Sequence, residues 1–293
     1  MKLKDSYHPY AIITVIFWSL AYALTKLALQ YFSPFALGFL RYFVASCALV
    51  VIALIIKMKP PHKSDLPLFI ASGASGFFLY MVTFNKGAVT VSSATGSVII
   101  ATAPVITALL ARFIYHEKLR LYQWAGIIIQ FAGVLILTLI NSVFSVNVGL
   151  IWLFGAALAL SIYNLLQRRL TKTYTPMQTS AFSIFFGTAL LAVFLPSAAR
   201  EVSHAPANQL FYVAVLGIFS SAIAYLTWSK AFAKAAQTSQ VSNYMFITPF
   251  TTSILSFFII NEVPDNATLI GGAVILFGIF VFNFGGKLLK AQR

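Results

Sequence analysis

The sequence predicts an all-α integral membrane protein of ten transmembrane helices, arranged as two five-helix repeats of inverted topology. Three observations carry this: apolar runs of spanning length, a segment that recurs at a fixed offset, and basic residues gathered on one side. Of 293 residues, 60% are hydrophobic and 9% charged, and the mean hydropathy is +0.88. A soluble domain carries roughly 25% charged residues, so this chain belongs in lipid.

The apolar runs fall at 9–30, 34–56, 66–86, 91–113, 122–141, 147–169, 176–195, 208–230, 239–260 and 267–288. Runs of about 20 residues cross a hydrocarbon core of about 30 Å as helices. They are twice the length of a barrel strand and do not alternate, which excludes a β-barrel reading. The longest predicted connection, Pro196 to Ala207, leaves no room for a soluble domain. Lys2 and Lys4 ahead of an apolar run, with Ala21-Tyr22-Ala23 further on, resemble a cleavable signal peptide. The run continues to Lys26 and Leu29, so cleavage is not expected.

Placing the N-terminus in the cytoplasm puts 16 of the 20 Lys and Arg residues on the inner side. Only Lys26, Arg41, Lys86 and Arg200 fall outside. The positive-inside rule then sets both termini in the cytoplasm, and the location expected is a plasma membrane, that of a bacterium. It also accounts for the net charge of +14 without a nucleic-acid partner, because the charges sit in short clusters between apolar runs. The single cysteine, Cys47, excludes an internal disulfide and a cysteine-based metal site.

Shifting the numbering by 145 brings Tyr80 onto Tyr225, Ser97 onto Ser242, Pro104 onto Pro249, Glu117 onto Glu262, Gly126 onto Gly271 and Gly133 onto Gly278. Tyr22 pairs with Tyr163 at an offset of 141, so the early helices repeat too. The two units are residues 1–141 and 142–293. Five helices per unit is an odd number, so the second enters the membrane from the opposite side. That architecture is typical of secondary transporters with a midplane site.

The pattern Gly76-x3-Tyr80, Ala103-Pro104, Glu117, Gln123-x2-Gly126 and Gly133, with Trp18, Lys26 and Arg41 upstream, resembles the EamA family of the drug/metabolite transporter superfamily. The resemblance covers nearly the whole chain in two copies. It implies ten helices and transport of small metabolites, often amino acids and often outward. The second copy departs from the first, with Ser183 where Arg41 would pair and Gln167 near the Lys26 position.

Candidate substrate-binding residues follow from chemistry at membrane depth. Pro104 and Pro249 lie near the middle of the fourth and ninth spans, where proline frees the carbonyls of Ile100 and Met245. They either kink helices that line a substrate path or mark packing kinks satisfied by Thr102 and Thr248. Trp18, Tyr22, Tyr80, Tyr163, Tyr225 and Trp228 near mid-depth, with Asn164, Asn243 and Tyr244 nearer the cytoplasmic ends, would wall a cavity for an apolar or aromatic solute. Lys26 and Arg41 either snorkel to the headgroups or meet a substrate carboxylate, and Arg41 is the deeper of the two.

Absences limit the mechanism. No Asp or Glu falls within a predicted span, and His8, His62, His116 and His204 lie in loops or at span ends, so a buried proton relay is unsupported. Glu117 and Glu262 read as structural ties of their turns. No Gly-x4-Gly-Lys-Ser/Thr run is present, which excludes ATP-driven transport. No acidic cluster suggests a membrane enzyme, and no cofactor is implied. The expected partners are the lipid bilayer and a small-molecule substrate, with a homodimer left open. Elimination favours a neutral solute such as an amino acid, and the resemblance implies that it is exported by alternating access. Transport of nucleotide sugars, other phosphorylated metabolites or lipophilic drugs is the alternative, with a non-transport membrane enzyme behind it.

Overall fold

A computed structural model of the chain describes residues 6–115, 120–139, 147–235 and 241–291. All regular structure among them is helical. The helices are α1 (His8–Ala28), α2 (Pro34–Ile55), α3 (Lys63–Thr90), α4 (Ser93–Ile114), α5 (Leu121–Leu139), α6 (Val148–Leu170), α7 (Pro176–Val202), α8 (Ala207–Lys234), α9 (Thr248–Ile260) and α10 (Asn266–Ala291). Seven of these, α1 to α4 and α6 to α8, are long and apolar enough to cross a membrane, and shorter apolar helices accompany them.

Helix starts follow from local chemistry. Ser33, Asn147 and Thr175 accept hydrogen bonds from backbone N–H groups of the first turns of α2, α6 and α7, and Thr175 with Gln178 completes a capping box. Asp265 does the same for Thr268 at the start of α10. Glu201 reinforces the α2 cap from a distance, accepting from Ser33 N at 2.8 Å and Ser33 Oγ at 2.7 Å. That contact depends on a departure from expectation. The region from Pro196 is not a loop: the chain continues through a 3₁₀ turn at Ala192–Phe194 into helix as far as Val202. Pro196 is tolerated because it sits in the first turn of the new stretch, where its missing N–H has no helical acceptor to lose.

Two helices carry a π turn. In α3 it spans Ala74–Leu79, and in α8 it spans Ile218–Ile223. Two others are interrupted. The first, α4, breaks at the turn 101–102, so Pro104 stands in the first turn of a second half-helix instead of kinking a continuous one. The second, α9, is preceded by a 3₁₀ turn, Asn243–Ile247, in which Met245 O accepts from Thr248 N. Thr248 therefore supplies the Met245 carbonyl with a partner through its backbone and not its hydroxyl. Thr102 Oγ1 donates to Ile99 O at 2.7 Å, and Ala103 O accepts from Ser161 Oγ at 2.8 Å.

The distribution of polarity suits lipid. Large apolar side chains point outward, with Leu121 86% and Phe258 76% exposed, while hydroxyls and amides are drawn inward. Inside, small polar groups join helices. Thr14 of α1 donates to Ala224 O of α8 at 3.1 Å, and Ser180 of α7 lies 2.6 Å from Ser229 of α8. Helices α5 and α10 lie against each other at glycine. A Cβ on Gly126 would fall 2.7 Å from Gly278 O, and one on Gly133 would fall 2.7 Å from Ile275 N.

Candidate functional site

The helices surround a narrow cavity of about 20 Å³, room for about one water, whose wall draws on α1, α2, α3, α4, α6 and α8 and on the start of α9. Trp18 and Tyr22 stand one helical turn apart on α1, so both reach the same face. Tyr80 and Phe84 do the same on α3, just beyond its π turn, and their rings stack at 5.5 Å. Tyr225 enters just beyond the π turn of α8 and meets Trp18 edge-on at 5.1 Å. Tyr22 closes against Phe84 at 5.3 Å. The result is an aromatic chamber with tyrosine hydroxyls as its main neutral polar groups.

Among the described residues, Arg41 is the one charged side chain in that wall. It is 3% exposed, so it does not snorkel to the headgroups. Its Nε donates to Ser221 Oγ at 2.6 Å, and its Nη2 donates to Ser220 O at 3.2 Å. Both partners belong to the π turn of α8, which carries serines toward α2. Among the described residues Arg41 makes no ion pair. A buried cation left this way is costly unless something anionic joins it. Two more polar atoms in the wall, Trp18 Nε1 and Thr248 Oγ1, are buried without a hydrogen-bond partner.

Of the residues singled out from the sequence, Trp18, Tyr22, Arg41, Tyr80 and Tyr225 meet at this cavity. Tyr163, Asn164 and Trp228 stand behind it as support. Tyr163 packs edge-on against Tyr225 at 5.6 Å, Trp228 packs on Trp18 at 5.0 Å, and Trp228 Nε1 donates to Asn164 Oδ1 at 3.2 Å. The remaining residues lie elsewhere. Pro104 is buried in α4 outside the wall, and Pro249 borders an outward crevice with Phe250 and Leu269. Tyr244 bonds His8 at the start of α1. Asn243 opens the 3₁₀ turn, and its side chain is outside the described set.

Phe84, Ser97, Leu160, Met245 and Thr248 join the wall without having been singled out as site residues. Ser97 had a signal in its recurrence as Ser242, and Met245 in the carbonyl that Pro249 frees. Leu160 and Phe84 had none beyond being apolar.

The second half presents a different chemistry where Arg41 and Lys26 have their counterparts. Ser183 lies 2.8 Å from Ser72 Oγ, and Gln167 Oε1 accepts from Ser229 Oγ at 2.9 Å. These groups form a buried neutral network linking α3, α6, α7 and α8. Glu262 is also held structurally, its Oε1 accepting from Ser93 N at 2.6 Å where the α4 dipole favours an anion. Glu117 lies outside the described residues. Among the described residues no group of three or more His, Cys, Asp or Glu side chains is placed to hold a metal.

Membrane-length helices packed around a narrow internal cavity lined by aromatic rings define a polytopic membrane protein. The model of the EamA-like transporter family matches residues 6–139 and again 147–284. The chain belongs to that family and is an integral membrane transporter. It is 30% identical to "Uncharacterized transporter YdfC" of Bacillus subtilis, over 93% of this chain and 94% of that one. It is 27% identical to a Streptantibioticus cattleyicolor protein named "Probable terminal-alkyne amino-acid exporter", over 93% and 91%. It is 25% identical to the "S-adenosylmethionine uptake transporter" of Rickettsia bellii, over 88% and 87%. One solved crystal structure matches 97% of this chain and 98% of its own with a TM-score of 0.67 at 19% identity, a likeness of fold alone.

Proposed function

We propose that this transporter exports amino acids or related neutral compounds from a bacterial cytoplasm, by alternating access between two inverted five-helix units with both termini inside. The observation that carries the reading is the aromatic chamber with Arg41 as its one charge. It suits a solute with an apolar body and one carboxylate. One relative is named as an amino-acid exporter, which favours the class and the direction.

Ten spans are reached by adding α5, α9 and α10 to the seven long helices. The inverted repeat is supported by the π turns of α3 and α8, which begin at Ala74 and Ile218, and by interruptions in α4 and before α9 at matching places. The separate family matches to residues 6–139 and 147–284 fit units meeting near residue 141. Nothing in this reading calls for a cofactor or a catalytic step.

Counterflow in proteoliposomes tests it. Vesicles loaded with an unlabelled neutral amino acid are expected to accumulate labelled phenylalanine transiently, and to lose that signal on Tyr80→Ala or Tyr225→Ala. Accumulation only of phosphorylated or cationic solutes would overturn the substrate class. Strict dependence on a proton gradient, abolished by Glu262→Gln, would overturn the structural role assigned to Glu262.

A further inference from the structure

We infer that the cavity is a carboxylate receptor in which the solute's carboxylate is required and its amino group is dispensable, an inference that rests on the cavity being the transport site. A guanidinium has five N–H donors in a fixed fork. Ser221 Oγ and Ser220 O take the edge formed by Nε and one Nη2 hydrogen. Among the described residues, both Nη1 hydrogens and the second Nη2 hydrogen are left without a protein acceptor. The second Nη2 hydrogen and one Nη1 hydrogen form the other edge of the fork, which matches two carboxylate oxygens. The serine contacts also set the plane of the group in advance, so Ser221 is a positioning residue for the ligand.

The surroundings fit the same ligand. Trp18 Nε1 is a donor without a partner in the same wall, and Thr248 Oγ1 is unpartnered too. A carboxylate has lone pairs beyond those that Arg41 engages, and both groups can donate to it. Among the described residues no acidic side chain lines the cavity, so a solute ammonium would find ring faces and hydroxyls while being repelled by Arg41. A dianion is also poorly served, because the counterparts of Lys26 and Arg41 in the second half, Gln167 and Ser183, are neutral and engaged with Ser229 and Ser72. The ligand class is therefore a monocarboxylate with an apolar or aromatic body, amino acids being one case among 2-oxo, 2-hydroxy and simple carboxylic acids.

The test compares 3-phenylpropanoate, phenylalaninamide and phenyl phosphate on the purified full chain, reading melting temperature and tryptophan fluorescence. The expected result is that 3-phenylpropanoate binds at least about tenfold more tightly than phenylalaninamide, the margin of one charge-assisted contact. Ser221→Ala leaves the Arg41 Nε–H without its partner and is expected to lower the ligand-free melting temperature; the accompanying narrowing of that preference by about threefold or more is the effect that a purely structural serine would not produce. Equal or tighter binding of phenylalaninamide, preference for phenyl phosphate, or no stabilisation by any of the three overturns the inference. Proteoliposome flux separates the two levels of argument. Flux of a carboxylate-free solute without carboxylate binding would sink the inference and leave the transporter reading intact. Carboxylate binding with no flux of any solute would do the reverse.

Discussion

Arg41→Gln is expected to cut flux of a carboxylate-bearing substrate by about 100-fold or more while leaving the melting temperature at or above the native value. The two effects have opposite signs because the same charge contributes differently to each. In the empty protein Arg41 is a desolvated cation held by one hydroxyl and one carbonyl, with no counter-ion among the described residues. Replacing it with a neutral amide of similar reach removes an unfavourable burial and keeps an N–H group for Ser220 O. With substrate bound, the same replacement removes a desolvated ion contact, a loss of about 2–5 kcal/mol in comparable interfaces. Counterflow rates and thermal melts on the same preparation check this. A variant that melted well below the native protein, or one that transported normally, would remove Arg41 from the substrate's contacts.

Gly76→Ala should lower the melting temperature and abolish flux from a position that does not line the cavity. A Cβ at Gly76 would lie 2.2 Å from Cδ2 and 2.6 Å from Cγ of Tyr163, which is fully buried. That ring cannot move freely, since Phe77 meets it at 5.2 Å and Tyr225 at 5.6 Å. Overpacking of this kind costs about 1–3 kcal/mol, and the strain passes to Tyr225 in the wall. Gly96→Ala is the control, because its nearest contact, Tyr22 Cε1, is an ordinary 3.6 Å away. Tyr163→Leu added to Gly76→Ala should recover part of the lost stability, so the two changes should be less than additive. Native melting of Gly76→Ala would mean that the Tyr163 ring is not against Gly76.

Much of this was readable from the chain alone, for reasons that differ by residue. Tyr22, Tyr80 and Tyr225 were legible as wall residues because aromatic groups recurring in both halves are rarely chance. The interruption at Pro104 was legible as a weak point, since proline disturbs a helix wherever it sits. Which way a proline faces depends on the packing of its neighbours, and Pro249 turned toward an outward crevice instead. Arg41 was legible as an anomaly at membrane depth, but its seat was not. That seat depends on a π turn bringing Ser221 beside a residue 180 positions earlier, and one extra residue in a helical turn leaves little trace in composition. Thr248 and Ser97 were hidden for a plainer reason: hydroxyl residues are common in membrane helices, and most of them satisfy their own backbone.

With Arg41 as the one charge among the described residues of the wall, the proposed site would also have an electrical character. An empty site carries one positive charge, and a site holding a monocarboxylate carries none. Moving a unit charge through the whole membrane field changes its energy by about 2.3 kcal/mol per 100 mV, so an inside-negative potential would hold the empty site toward the cytoplasm and leave the occupied one indifferent. A zwitterion would leave the charge in place and make both crossings voltage-dependent. Flux under potassium gradients with valinomycin should therefore show that voltage acts on the return step alone for 3-phenylpropanoate and on both steps for phenylalanine, whereas voltage-insensitive flux of both would mean that Arg41 does not move relative to the field.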